Sequence, residues 1–281
     1  MIPIASAGLN LCHENAVELY EQRPALDFIQ VHPEHLIQEK GGIYHSQLNE
    51  LRHHYPVLLH GFGLSIGSTA PLDKDYLLVV KQLLKEHPEA VFSDHVSWSS
   101  VSHHHFHDLI PLIQTEETLE YMVERVSQAQ DIIGAQILLE NISSYMRFKQ
   151  SDLTEIEFIN ELTRRSGCFV LLDVNNIWAN AMNFEEDPLH VISQLNPTSV
   201  RGYHLAGCTL ESQGERDVYI DHHGEAVHES VWELYRQCLK IFGAWPTLME
   251  WENNVPPLSR HLEEVATISE CLRPYAQGEV K

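Results

Sequence analysis

The sequence predicts an α/β protein: a (β/α)8 TIM barrel in a single domain spanning residues 1–281. Three observations carry that prediction. Eight short apolar runs alternate with helix-like stretches, which implies a parallel sheet, and eight strands are the number that closes a barrel. No linker rich in Pro, Gly or Ser and no low-complexity segment interrupts the alternation. The length of 281 residues suits a fold that takes roughly 250.

The predicted strands are Ile4–Leu9, Leu26–Val31, Val57–His60, Val91–His95, Ile137–Asn141, Phe169–Val174, Val200–Leu205 and Thr247–Trp251. Several are nearly continuous apolar runs, as expected where helices cover one face of a strand and core fills the other. The segments between them read as helices. Asp73–His87 places Leu77, Leu78, Val80, Leu83 and Leu84 at helical spacing. Thr115–Ile133 opens with Thr115 as N-cap and an acidic first turn of Glu116 and Glu117. Thr118 stands where a full capping box needs Glu or Gln. Thr154–Arg165, Glu229–Phe242 and Leu258–Cys271 also read as helices. The longest irregular piece, Gly207–Val227, follows the seventh strand, where functional loops belong.

Composition narrows the function classes. Hydrophobic residues make up 43% of the chain, enough for a full core. Eighteen Lys and Arg against 40 Asp and Glu give a net charge of −22, which repels phosphate backbones and argues against nucleic acid as a partner. Part of that acidity is explained if carboxylates hold cations that the count ignores. No apolar run reaches the roughly 18–20 residues a membrane span needs. No basic segment followed by an apolar one opens the chain, so no secretory signal is expected. The five cysteines, Cys12, Cys168, Cys208, Cys238 and Cys271, form no C-x-x-C pair and fit reduced thiols in a cytoplasmic protein. The 19 histidines outnumber Lys and Arg together, and a neutral imidazole is the commonest metal ligand.

The strand ends carry the chemistry. Strands three to eight end in His60, His95, Glu140, Asp173, His204 and Glu250. Parallel barrel strands aim those six ends at one opening. A buried carboxylate or imidazole is costly unless paired or bound to metal, and six on consecutive strands are hard to explain as packing. Three histidines and three carboxylates are too many for one ion. Two or three ions sharing a carboxylate suit them better, with Glu140 as the bridging candidate. Asn176 lies three residues past Asp173, and Asp221-x-His223 lies in the loop after strand seven. That pair reads either as an Asx turn with an exposed His or as ligands of a further ion, and the cluster beneath favours the ion. The N/O donor set suits Fe(II), Mn(II) or Zn(II) and does not choose among them. The run His103 to Asp108 is either a solvated loop with adventitious metal affinity or a segment placing His107 or Asp108 at the site mouth. Trp98, Trp178 and Trp251 read as site walls or rim packing, and Glu34 as a polar wall residue.

The segments HGFGLSIGS, SDHVSW, HDLIPL, LLENISSY, LLDVNNIW, YHLAG and LMEWE together resemble the multinuclear non-heme iron-dependent oxidases, the family also called DUF692 or UPF0276. The resemblance runs from about Gly8 to Glu264. It implies a xylose-isomerase-like TIM barrel related to endonuclease IV. It also implies two or three iron ions (Fe2+/Fe3+), with O2 as co-substrate. The implied substrate is a residue, cysteine above all, of a ribosomally synthesised precursor peptide, as in methanobactin biosynthesis, and a separate partner protein delivers the leader peptide. By motif, it implies one iron between His60, His95 and Glu140, a second between Glu140, Asp173, His204 and Glu250, and a third held by Asn176, Asp221 and His223. Asn10 stands where many relatives have arginine, and Gln30 and the following HPEH depart from the Glu and E-N often found there. The expected chemistry is O2-dependent hydrogen abstraction from a metal-bound cysteine, with Glu140 bridging and His107 or Asp108 relaying protons. The alternative is a Zn- or Mn-dependent metallohydrolase or isomerase of the same superfamily, which needs the same ligands. A non-enzymatic metal store is a third reading.

Overall fold

The computed structural model describes residues 2–38, 41–101, 104–214 and 216–278. Its strands in chain order are β1 (Ala7–Asn10), β2 (Phe28–Val31), β3 (Val57–His60), β4 (Phe92–His95), β5 (Trp98–Val101) and β6 (His104–Ile110), then β7 (Leu138–Glu140), β8 (Phe169–Asp173), β9 (Val200–Leu205), β10 (Thr209–Gln213), β11 (Arg216–Ile220) and β12 (Thr247–Met249). Eight of them close into a parallel barrel in the order β1, β12, β9, β8, β7, β4, β3, β2. All eight predicted strands are barrel strands. The first two begin later than their apolar runs suggest. The Asp27 carboxylate accepts the Ala7 N–H (2.9 Å), so pairing of β1 with β2 starts at Gly8 and Phe28.

The helices are α1 (His13–Gln22), α2 (Pro33–Gln38), α3 (Gly42–His54), α4 (Lys74–Glu86), α5 (Glu116–Ile133), α6 (Glu155–Ser166), α7 (Val174–Asn183), α8 (Pro188–Ser193), α9 (Glu229–Phe242) and α10 (Leu258–Ala276). Their ends follow local chemistry. Asp73 and Thr115 cap α4 and α5 by accepting the Tyr76 and Thr118 N–H groups, and Thr154 with Glu157 makes a full capping box on α6. α5 and α6 stop at Gly134 and Gly167, both left-handed.

Two segments correct the sequence reading. The stretch after β9 is not irregular throughout: β10 and β11 pair as an antiparallel hairpin, with Gly214 left-handed at φ 72° beside its turn. The histidine run is not a loop either: β6 pairs with β5. His103 lies outside the described residues. In both, β-branched and aromatic residues such as Val101, Phe106, Val218 and Tyr219 favour strand. Both hairpins follow the C-terminal ends of barrel strands.

The main core lies between strands and helices and is built from residues such as Leu9, Leu59, Leu119 and Ile159. Inside the barrel, Ile2, Phe28 and Leu248, with Leu58 against them, form a separate apolar plug. The candidate site lies beyond this plug, at the C-terminal ends of the strands.

Candidate metal centre

Register brings the strand-end residues level. His95 pairs with Glu140, Asp173 with His204, and His204 with Leu248, two residues before Glu250. His60, Glu140, Asp173, His204 and Glu250 are each at most 3% exposed.

Three atoms form a near-equilateral triangle. His60 Nε2 lies 3.3 Å from His95 Nε2 and 3.2 Å from Glu140 Oε2, and His95 Nε2 lies 3.5 Å from the same oxygen. A point equidistant from all three is about 1.9 Å from each in their plane, close to the ~2.0–2.1 Å of a zinc–imidazole bond. Ser93 sets the tautomer of His60. Its hydroxyl lies 3.3 Å from Leu59 O and 2.8 Å from His60 Nδ1; donating to the carbonyl, it accepts the Nδ1 proton and leaves the Nε2 lone pair for the triangle.

The other oxygen of Glu140 faces a second group. His204 Nδ1 is 3.1 Å from Glu140 Oε1 and 3.1 Å from Glu250 Oε2. Ligand atoms of Glu140, Asp173, His204 and Glu250 all lie within 4.8 Å of one another. Asp173 has two tasks. β8 runs straight into α7, and Asp173 Oδ1 caps that helix by accepting the Asn176 N–H (2.6 Å), while Oδ2 is buried without a hydrogen bond. Asn141 locks this corner by accepting the Asp173 N–H (3.0 Å) and donating to its carbonyl (2.9 Å).

The third predicted set is only partly assembled. His223 Nε2 and Asp221 Oδ1 are 2.8 Å apart, but out of line for an N–H donor, as when both face a common cation. Asn176 donates to Asn141 O (3.1 Å) and keeps its own side-chain oxygen free of hydrogen bonds. The amide bonded to Asp221 is that of Asn175 (2.9 Å). On its other side, His223 Nδ1 approaches Glu250 (3.5 Å) and Glu252 (3.6 Å), so Glu252 joins a possible ligand group that the sequence reading did not include.

These residues fit a cationic occupant. Glu140 Oε2, Asp173 Oδ2 and Asn176 Oδ1 are buried acceptors without hydrogen bonds, each a costly arrangement of about 1–3 kcal/mol if left unsatisfied. Without a cation, protons compensate instead. Burial lowers His204, but the Glu140 and Glu250 carboxylates outweigh it and raise its pKa well above the ordinary value. Burial likewise opposes the charge on His223 and His95. Asp221 and Glu250 raise His223, and Asp94 and Glu140 raise His95 to about 9. Burial, reinforced by Glu140, raises Asp173. His60 moves the other way, lowered by burial and by His95 and His204.

Above the cluster opens a cavity of about 810 Å3, lined by His60, His95, Glu140, Glu250, Asp221 and His223 of the site and by His32, Phe62, His107, Asp108 and Tyr145. That is the size of a small-ligand or peptide-segment site. His107 and Asp108 are on β6 at its mouth, exposed, and Asp108 accepts its neighbour's N–H (Leu109, 2.8 Å). The three tryptophans pack behind the lining: Trp178 stacks on His228, Trp98 meets Phe106 edge-on, and Trp251 meets His261. Glu34 bolts down the loop after β3 by accepting from Phe62 N (3.1 Å), Gly63 N (2.8 Å) and Tyr76 O–H (2.7 Å). A Cβ at position 63 would lie 2.8 Å from that carboxylate and would push it off its donors. No helix among the described residues is long and apolar enough to cross a membrane.

Comparisons with known proteins agree with this architecture. Residues 6–273 match the family described as RiPP precursor modification enzyme MbnB/TglH/ChrH. A UPF0276 protein of Vibrio vulnificus is 36% identical over 271 residues, covering 96% of this chain and 92% of the relative. Endonuclease IV from Thermus thermophilus superposes with a TM-score of 0.59 at 16% identity, over 94% of this chain and 99% of that one. A xylose isomerase-like TIM barrel protein from Mycobacterium smegmatis, in complex with magnesium, superposes at 0.57 and 12% identity, over 92% and 87%. At such identities the structural likeness shows the fold, a xylose-isomerase-like TIM barrel.

Proposed function

This chain belongs to the MbnB/TglH/ChrH family of RiPP precursor modification enzymes, and from that membership we propose that it oxidises a residue of a precursor peptide, cysteine in our reading, with O2 at a cluster of two or three iron ions. The observation that carries the reading is the divided contact of Glu140: one oxygen faces His60 and His95, the other His204. A buried carboxylate between two ligand groups suits a pair of neighbouring ions.

In this reading His60, His95 and Glu140 would hold one ion, and Glu140, Asp173, His204 and Glu250 a second. Asn176, Asp221 and His223 would hold a third, and Glu252 lies within reach of His223. Iron held by these residues would supply redox-active Lewis-acid chemistry. The residues of the chain do the rest. The cavity over the cluster receives an extended peptide segment, and the buried strand ends keep bulk water from the reacting atoms. Asp108 and His107 exchange protons at the mouth. A separate protein that holds the leader peptide completes the system.

The test is anaerobic purification, metal analysis and Mössbauer spectroscopy, followed by O2 uptake and peptide mass on adding a cysteine-containing precursor peptide encoded beside the gene. The expected result is at least two irons per chain and peptide-dependent O2 consumption. Tightly held zinc with no redox activity would replace this reading with the hydrolase or isomerase one.

A further inference from the structure

β1 and β2 end in no metal-capable side chain; they end in the amides Asn10 and Gln30, which pair in register. Both amides are 1% exposed and both reach the end of β12. Asn10 holds the backbone of Trp251 from both sides, donating to its carbonyl (3.2 Å) and accepting its N–H (3.0 Å). Gln30 bridges two side chains of the cluster. Its Oε1 lies 2.8 Å from His204 Nε2, and its Nε2 donates to Glu250 Oε1 (3.4 Å).

The consequence for His204 is specific. An amide oxygen only accepts, so Nε2 carries a proton, and when the imidazole is neutral, as a ligand must be, it is Nδ1 that is left to present its lone pair between Glu140 and Glu250. With an apolar side chain at position 30, Nε2 would lose its buried acceptor. The imidazole would then be free to place its proton on Nδ1, against the ion. Glu250 would also lose its donor.

We propose that Gln30 is a positioning residue of the metal centre: it holds His204 in the Nδ1-ligating tautomer and orients Glu250, while Asn10 fixes the strand end on which Glu250 sits. This rests on the reading of the cluster as a metal site. An acceptor matched to the distal nitrogen of a ligating histidine is worth 10–100-fold in metal affinity. The acceptor carries most of that, because the bond to His204 is shorter than the bond to Glu250.

The experiment compares wild type, Gln30→Met and Gln30→Glu by competition of a chromophoric chelator for Co2+ and Zn2+, with the Co2+ d–d spectrum and the metal-free melting temperature read in parallel. Methionine keeps the volume and removes the acceptor. Glutamate keeps the acceptor and removes the donor. Gln30→Met is expected to bind 10–100-fold more weakly with a changed Co2+ spectrum, and Gln30→Glu at least as tightly as wild type. Gln30→Met within threefold of wild type would overturn the proposal, as would Gln30→Glu as weak as Gln30→Met. Should Gln30→Met not fold, Gln30→Glu decides alone: retained affinity with the wild-type spectrum supports the acceptor role, and a tenfold loss removes it. If wild type itself binds neither ion, the metal reading fails, which is a separate result.

Discussion

Glu140→Gln separates a bridging carboxylate from a merely adjacent one. The substitution keeps the shape of the side chain and one acceptor oxygen, and removes a single negative charge. That charge has unequal importance on its two sides. The triangle of His60, His95 and Glu140 contains no other carboxylate, whereas the group with His204 also holds Asp173 and Glu250. The first ion should therefore be lost and the second retained. Uncoupling one partner of a fully buried charge pair costs about 3–5 kcal/mol, and Glu140 is 2% exposed, so the full range applies. At about 1.4 kcal/mol per tenfold, the first ion should bind roughly 10^2- to 10^4-fold more weakly. The assay is anaerobic iron titration, read by metal content after desalting and by Mössbauer spectroscopy, where loss of magnetic coupling between neighbouring ions reports the missing bridge. Equal iron content and affinities within tenfold of wild type would refute the bridging argument. Loss of every ion would show that the two halves do not bind independently.

Metal uptake should be strongly pH-dependent. His204, His223, His95 and Asp173 all have raised pKa values without a cation, so an incoming ion must displace protons, and affinity should increase with pH. For the metal-free protein the sign reverses: the stability that these protonated groups contribute is present in full below their unfolded values. For His95 it is lost as pH rises from 6.5 through about 9, so the metal-free melting temperature should fall across that window while metal addition restores it. Flat profiles for both would contradict the charge assignment. Glu34→Ala strands three donors around a residue only 5% exposed, for a loss of about 3–5 kcal/mol. In a chain of this size that lowers the melting temperature by roughly 6–10 °C, and Glu34→Gln should lose less than half as much. An unchanged melting temperature would mean the loop after β3 is held by other contacts. Asp108→Asn and His107→Gln should slow peptide oxidation by about 10^2-fold with unchanged iron content. Turnover within threefold of wild type in both would reduce them to rim residues.

The sequence displays one kind of site residue well and another poorly, for a physical reason. His60, His95, Glu140, Asp173, His204 and Glu250 stand out because each interrupts an apolar run at the point where a buried strand ends. That signal is local. The residues that orient them give no such signal. Gln30 stands out only as a departure from the family pattern, with no role attached, until β2 is set against a histidine 174 positions later, and Ser93 contacts His60 from 33 positions away. The hairpins β5–β6 and β10–β11 were hidden for a related reason: histidines and acidic residues in His104–Ile110 and Thr209–Ile220 obscure the alternation that marks a strand. Asn175 and Asn176 show the same limit at the scale of one residue. Adjacent in sequence, they differ by about 100° around α7, so one faces Asp221 and the other Asn141. Asp173 joins the two kinds. It ends an apolar run, as the other candidate ligands do, but the sequence reading does not include its cap on α7; that cap uses only Oδ1 and leaves Oδ2 buried without a hydrogen bond beside the cluster. Helix start and candidate ligand are thus one residue, so removing the carboxylate should disturb the first turn of α7, and with it Asn176, as well as the metal.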